Sequence, residues 1–147
     1  MFANPGGACS PTPSGVFSGG SLPVAATINQ QKPGTALLSD YEGIAAPGQV
    51  VYVPLWKNQP GTWTSGLGVQ NSTGQSATVT LTFYDMDDNV FGSVTQPLGA
   101  RAIYVANGVG AAEGSVVVTA DRPVAVAVNH VLSISGDGIM SVSGDHR

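Results

Sequence analysis

The amino-acid sequence predicts an all-β protein, built as an antiparallel β-sandwich. Val, Thr and Gly dominate the chain, and helix-forming residues do not recur at a 3.6-residue period in any segment. Short β-branched runs alternate with turn signals, which the 20 Gly and 10 Pro residues supply. Charged residues make up 10% of the chain and apolar residues 42%, a composition typical of a folded domain with a core. Many short strands with frequent turns are the pattern of a sandwich.

The clearest single strand is Ser76–Asp85, where Ala77, Val79, Leu81 and Phe83 alternate with threonines, so one face should be core and the other solvent. The other expected strands are bounded by Gly, Pro, Asn or Asp. They are Val16–Ser18, Pro23–Gln30, Thr35–Glu42, Gln49–Lys57, Thr62–Asn71, Val90–Gln96, Ala102–Val105, two strands within Gly114–His130, and one around Gly138–Val142.

Three local features refine this pattern. Pro54 lies inside a predicted strand, which indicates an edge strand or a bulge, because proline cannot donate to a ladder. The polar break Asp121-Arg122-Pro123 predicts a turn between two strands. Val124–Val128 consists of Val and Ala without a polar alternation, so we expect a central strand that is buried on both faces.

An internal echo divides the chain into two regions. Shifting the sequence by 100 positions places five residues on identical ones without a gap: Val16, Pro23, Val24, Ala25 and Asn29 fall on Val116, Pro123, Val124, Ala125 and Asn129. We therefore expect residues 1–43 to form an N-terminal arm with surplus strands that echo the C-terminal strands. Residues 44–147 form the sandwich domain.

Several classes of function are disfavoured by composition. The net charge is −4, and the five basic residues are scattered, so there is no basic patch for a nucleic acid. No apolar run reaches the length of a membrane span. Cys9 is the single cysteine, so no disulfide can form within the chain.

The sequence does not predict an enzyme or a cofactor. His130 and His146 do not lie in a metal-spacing motif, and no nucleophile elbow is present. Asp85, Asp87, Asp88 and Asn89 form a weak candidate calcium loop that lacks the glycine and distal glutamate of an EF-hand. The alternative is a solvated turn, which Asp and Asn favour through bonds from their side chains to the backbone.

Two features suggest contact with sugars. Trp56 and Trp63 flank one turn and could stack on a sugar ring, although a cross-strand aromatic pair that closes one end of the sandwich is the favoured alternative. Asn71-Ser72-Thr73 is an acceptor sequon for N-glycosylation in a predicted turn. Carbohydrate is therefore a candidate partner, either bound or attached.

A set of strand and turn motifs carries a resemblance to a known class of domain. The motifs are Trp63-Thr64-Ser65-Gly66-Leu67-Gly68-Val69-Gln70-Asn71, Ala77–Asp85, Leu98-Gly99-Ala100, Gly114–Val118 and Pro123–Asn129. Over about residues 44–147 the chain resembles the immunoglobulin-like β-sandwich repeat modules of large bacterial cell-surface proteins. The resemblance implies an extracellular or cell-surface location and brings no catalytic residues with it.

The surplus strands suggest how the protein would assemble. If the segment from Val16 to Glu42 pairs with the open sheet edge of a neighbouring copy, subunits join head to tail in a pilus-like filament or surface assembly. The apolar residues expected at this subunit interface are Val16, Phe17, Val24, Ala26, Ile28, Leu37 and Leu38. The alternatives are a slice of a tandem array, an adhesion or carbohydrate-binding module, and a phage or capsid-like structural protein. Docking of the segment on its own chain also remains open.

Overall fold

The computed structural model confirms an all-β, antiparallel protein. The described residues are 27–31, 38–42, 46–59, 61–107, 109–110, 113–132, 138–143 and 145–146, with side chains described between 46 and 131. The strands are β1 (Thr27–Gln31), β2 (Leu38–Glu42), β3 (Gly48–Gln59), β4 (Trp63–Asn71), β5 (Ala77–Asp85), β6 (Val90–Leu98), β7 (Ile103–Asn107), β8 (Glu113–Leu132), β9 (Gly138–Ser143) and β10 (Asp145–His146). Of the predicted arm, residues 1–26, 32–37 and 43 lie outside the described residues. These include the interface residues Val16, Phe17, Val24, Ala26 and Leu37, and the side chains of Ile28 and Leu38 are not described either.

Eight strands, β3 to β10, form one hydrogen-bonded sheet that is organised around the 20-residue strand β8. The first half of β8 lies between β3 and β5, and β6 pairs with the far side of β5. The second half lies between β4 and β9, and β7 pairs with the far side of β4. The sheet is therefore nearly barrel-like. An immunoglobulin-like connectivity stays a prediction.

The predicted turn at Asp121-Arg122-Pro123 is wrong, because β8 runs through these residues without reversing. They stand where β8 changes partners: Ala120 still pairs with β5, whereas Val124 pairs with β4. The backbone of Thr78 donates to the Asp121 carboxylate at 2.8 Å. Residues 121–123 have no register partner on the neighbouring strands, so Pro123, which has no N–H to donate, interrupts no ladder there.

Rows of buried side chains cross the sheet and form the core. In the first half of β8, Val116 is the register partner of both Val53 and Phe83, and all three are fully or almost fully buried. In the second half, Leu67 pairs with Val128, and both are fully buried. Buried apolar side chains from β3, β4, β5, β6, β7 and β8 belong to one hydrophobic cluster.

Two strand predictions are confirmed and one is partly wrong. β5 alternates as expected, with Ala77, Val79, Leu81 and Phe83 buried. Pro54 lies in a register irregularity between Val53 and Trp56, which is the predicted bulge. Val124–Val128 is a central part of β8, but its alanines are only half-buried, so one face alone is fully in the core.

β1 and β2 pair antiparallel with each other and form a separate two-stranded sheet. Their register matches Thr27 with Glu42 and Gln31 with Leu38. β2 lies beside β9, with Cα atoms of the two strands within 8 Å, and no ladder joins them.

Candidate functional site

Asn71 is the centre of a buried polar loop rather than an accessible glycan acceptor. Its side chain is fully buried, and Nδ2 donates to the carbonyl oxygens of Gln75 at 2.7 Å and Gly99 at 3.0 Å. Its Oδ1 accepts from the backbone N–H of Thr73 at 2.9 Å and from the Thr73 hydroxyl at 2.8 Å. A glycan would have to replace a hydrogen of Nδ2, so the predicted glycosylation at Asn71 is incompatible with this structure. The side chain instead joins the β4–β5 loop to the β6–β7 turn.

The acidic loop between β5 and β6 is organised by its own side chains. The Asp85 carboxylate accepts the backbone N–H groups of Asp87 and Asn89, both at 2.9 Å. The Asn89 N–H is the main cause that lowers the pKa of Asp85, opposed by partial desolvation and reinforced by the Asn89 side chain and the Asp87 N–H. These contacts favour the solvated turn, and no group of three or more His, Cys, Asp or Glu within the described ranges converges to hold a metal ion.

Trp56 cannot be a sugar platform, because its side chain is fully buried in the core. Its indole Nε1 donates to the carbonyl of Val109 at 3.2 Å, and its ring meets Phe83 edge-on at a centroid distance of 5.0 Å. The predicted aromatic pair with Trp63 is also wrong, because Trp63 is the register partner of Gln59 and not of Trp56. The bulge at Pro54 shifts the phase of β3 and so turns Trp56 inward.

Trp63 is half-buried and belongs to a small charged patch, which we define as Lys57, Gln59, Trp63 and Glu113. Lys57 Nζ lies 5.7 Å from the centre of the Trp63 ring and 2.8 Å from the Glu113 carboxylate. The Gln59 amide donates to the same carboxylate at 3.1 Å. The ammonium group therefore already lies over Trp63, so a ligand that stacks on that face must displace it.

A buried Ser–His pair, for which the sequence suggested no site, contacts the backbone of Lys57 in this patch. Ser65 is fully buried and His130 is 1% exposed, and Ser65 Oγ is 2.7 Å from His130 Nδ1. The Ser65 hydroxyl also donates to the carbonyl of Lys57 at 2.7 Å and accepts its backbone N–H at 2.8 Å. Because the single hydroxyl proton serves Lys57, we infer that His130 Nδ1 carries a hydrogen and donates it to Ser65.

The chemistry of this pair is structural rather than nucleophilic. Burial lowers the pKa of His130, and the positive charge of Lys57 lowers it further. The neutral ring then leaves Nε2 as a bare lone pair, which has no partner among the described atoms. Both side chains are closed to a substrate, so the pair ties the β3–β4 hairpin to β8. Residue spacing could not have indicated it, because Ser65 and His130 are 65 positions apart.

β6 is one of the edge strands of the sheet within the described part of the chain. β6 pairs with β5 along one side and has no ladder on the other. Val90 at its start is 57% exposed, and Pro97 lies near its end. Proline and short polar side chains are typical of strands at a sheet edge.

The comparisons with known proteins bear on the fold alone. No family model matches the sequence, and no curated protein matches it. The crystal structure of Thermotoga maritima 1070 is similar, with a TM-score of 0.54 and 13% sequence identity, over 69% of this chain and 96% of that chain. No helix in the described ranges is long and apolar enough to cross a membrane.

Proposed function

We propose that the protein is a structural subunit of an extracellular filament or surface assembly, joined head to tail by strands donated from residues 16–42. One observation carries the proposal: β1 and β2 pair with each other, outside the eight-stranded sheet that β3 to β10 form. An isolated two-stranded hairpin is marginally stable in water, so it needs a surface on which to dock. In the isolated chain β2 lies beside β9 without a ladder, and in the assembly the sheet of a neighbouring copy would supply a surface with which the hairpin can pair.

Strand donation also accounts for the form of the assembly. Main-chain hydrogen bonds between a donated strand and a sheet edge give affinity, and alternate side chains give register. The donor segment and the acceptor edge are different surfaces of the same chain. Such a heterologous contact propagates from copy to copy without closing, which produces a fibre.

The composition of the chain bears on where the protein would act. Low charge, a single cysteine and a surface rich in Gly and Thr suit an extracellular structural protein that is held together by packing and strand ladders. We propose no catalytic activity and no cofactor. An immunoglobulin-like arrangement of the strands is part of the same proposal, as an interpretation of the antiparallel sheet.

Negative-stain electron microscopy of the purified protein at high concentration tests the proposal. We expect open fibres from the full chain and discrete particles after deletion of residues 1–43, because the deletion removes the donor. Discrete monomers of the full chain at every concentration would overturn it. Closed shells would favour the alternative of a phage or capsid-like structural protein.

A carbohydrate-binding adhesion module is the second candidate, and the half-buried ring of Trp63 is the observation that favours it. Trp56 no longer contributes, because it lies in the core. Glycan-array binding that is lost in Trp63→Ala and kept in Trp63→Phe would favour this candidate. The same array with a 1–43 deletion separates the two proposals, since a sugar binder keeps its affinity.

A further inference from the structure

The β1–β2 hairpin and the hairpin formed by the end of β8 with β9 occupy equivalent positions in the sequence echo. β1 and β2 span residues 27–31 and 38–42, and a shift of 100 places them on residues 127–131 of β8 and on β9. The registers differ by one residue: Thr27 pairs with Glu42, and Ala127 pairs with Ser143. The two hairpins are therefore near-copies in position and pairing.

The outer strands of these two hairpins lie side by side. β9 pairs with β8 on one side, and no ladder occupies its other side among the described strands. β2, the counterpart of β9, lies beside β9 with Cα atoms within 8 Å. Because no ladder joins these two described strands although they are close, this edge of β9 has no strand paired to it in the isolated chain.

We propose that the free edge of β9 is the acceptor for the β1–β2 hairpin of a neighbouring copy. In an isolated chain the hairpin lies beside its own β9 without a ladder, and in the assembly it pairs with the β9 edge of the next chain. A contact that forms within one chain can form between chains when the connecting segment allows exchange, and residues 43–47 between β2 and β3 are that connector. This inference rests on the proposed function, because it names the edge that donation requires.

Mixing two single-cysteine chains tests the exchange between copies directly. Both chains carry Cys9→Ser, one carries Ser39→Cys in β2, and the other carries Ser141→Cys in β9. A short bismaleimide reacts with both, and a purification tag on one chain separates mixed from identical pairs. In the matched control the second chain carries Ser93→Cys instead of Ser141→Cys. Ser93 is exposed and lies on the edge strand β6.

We expect a mixed, cross-linked dimer from the β2 and β9 cysteines and only background from the β2 and β6 cysteines. Equal yields from both pairs would overturn the inference, as would a double-cysteine chain that links only to itself at high concentration. Microscopy of the same samples without cross-linker separates the two proposals. Fibres without a β2–β9 link between chains refute the acceptor while the filament stands, whereas the absence of fibres refutes the filament.

Discussion

Replacing Asn71 with Ala should destabilise the domain by about 2–3 kcal/mol. The substitution removes four hydrogen bonds of a fully buried side chain, to Gln75, Gly99 and twice to Thr73. Each bond contributes roughly 1 kcal/mol net, and the groups nearest the surface regain water when the bond is lost, which reduces the sum. The loss is a large part of a stability of about 5–15 kcal/mol. Urea unfolding followed by circular dichroism measures it, and thermal unfolding should show a Tm lower by roughly 10 °C.

Thr73→Val is the matched control for this prediction. It abolishes the same Asn71-Ser72-Thr73 sequon, but it removes only the hydroxyl contacts of a half-buried residue. We expect a cost of about 1 kcal/mol. If both variants produced in a glycosylating host lost the same stability, the loss would come from a missing glycan. An Asn71→Ala protein within about 0.5 kcal/mol of the wild type would refute the account of the buried loop.

Three further predictions follow from buried positions. The pKa of His130 lies below its unfolded value of about 6.5, so the unfolded chain binds more protons than the folded one near that pH. The free energy of unfolding should therefore fall as the pH drops from 7 through the unfolded pKa toward the folded one. Urea titrations at several pH values measure this dependence, and His130→Asn should remove it. Gly114→Ala should prevent folding, because a Cβ at this position would lie 1.9 Å from a backbone oxygen of β5. Gly74→Ala is the control: a Cβ there has no atom within 4 Å, so this variant should unfold like the wild type in the same urea assay. In Trp63→Phe, the fully buried Trp56 is the single tryptophan left. The fluorescence of this variant should be blue-shifted and should not be quenched by acrylamide. Red-shifted emission would contradict the core position of Trp56.

Strand positions could be predicted from sequence because local patterns encode them. In Ser76–Asp85 the side chains alternate with the period of a strand, and β5 has that alternation. Pro54 predicted a bulge because a proline cannot donate to a ladder wherever the strand lies. Such signals depend on a residue and its immediate neighbours.

The candidate sites were predicted much less well, because their chemistry depends on burial. The sequence predicted Asn71 as a glycan acceptor and suggested that Trp56 could be an exposed aromatic, yet both side chains are fully buried. The Asp85 carboxylate turned out to accept bonds from its own loop, as the alternative of a solvated turn expected. The polar break at Asp121–Pro123 resembled a turn because sequence cannot show that β8 changes partners there.

The sequence by itself determined an all-β chain and the position of most strands, because alternation and turn chemistry are local properties. It also determined the 100-residue echo, because a repeat is found by comparing the sequence with itself. Only the tertiary structure decided that β8 is one continuous strand shared by two sets of partners, and that Ser65 meets His130 across 65 positions. Pairing between distant segments is chosen by the packing of the whole core, in which each side chain must fill space that other strands leave. For that reason the role of a polar or aromatic residue here follows from what surrounds it after folding.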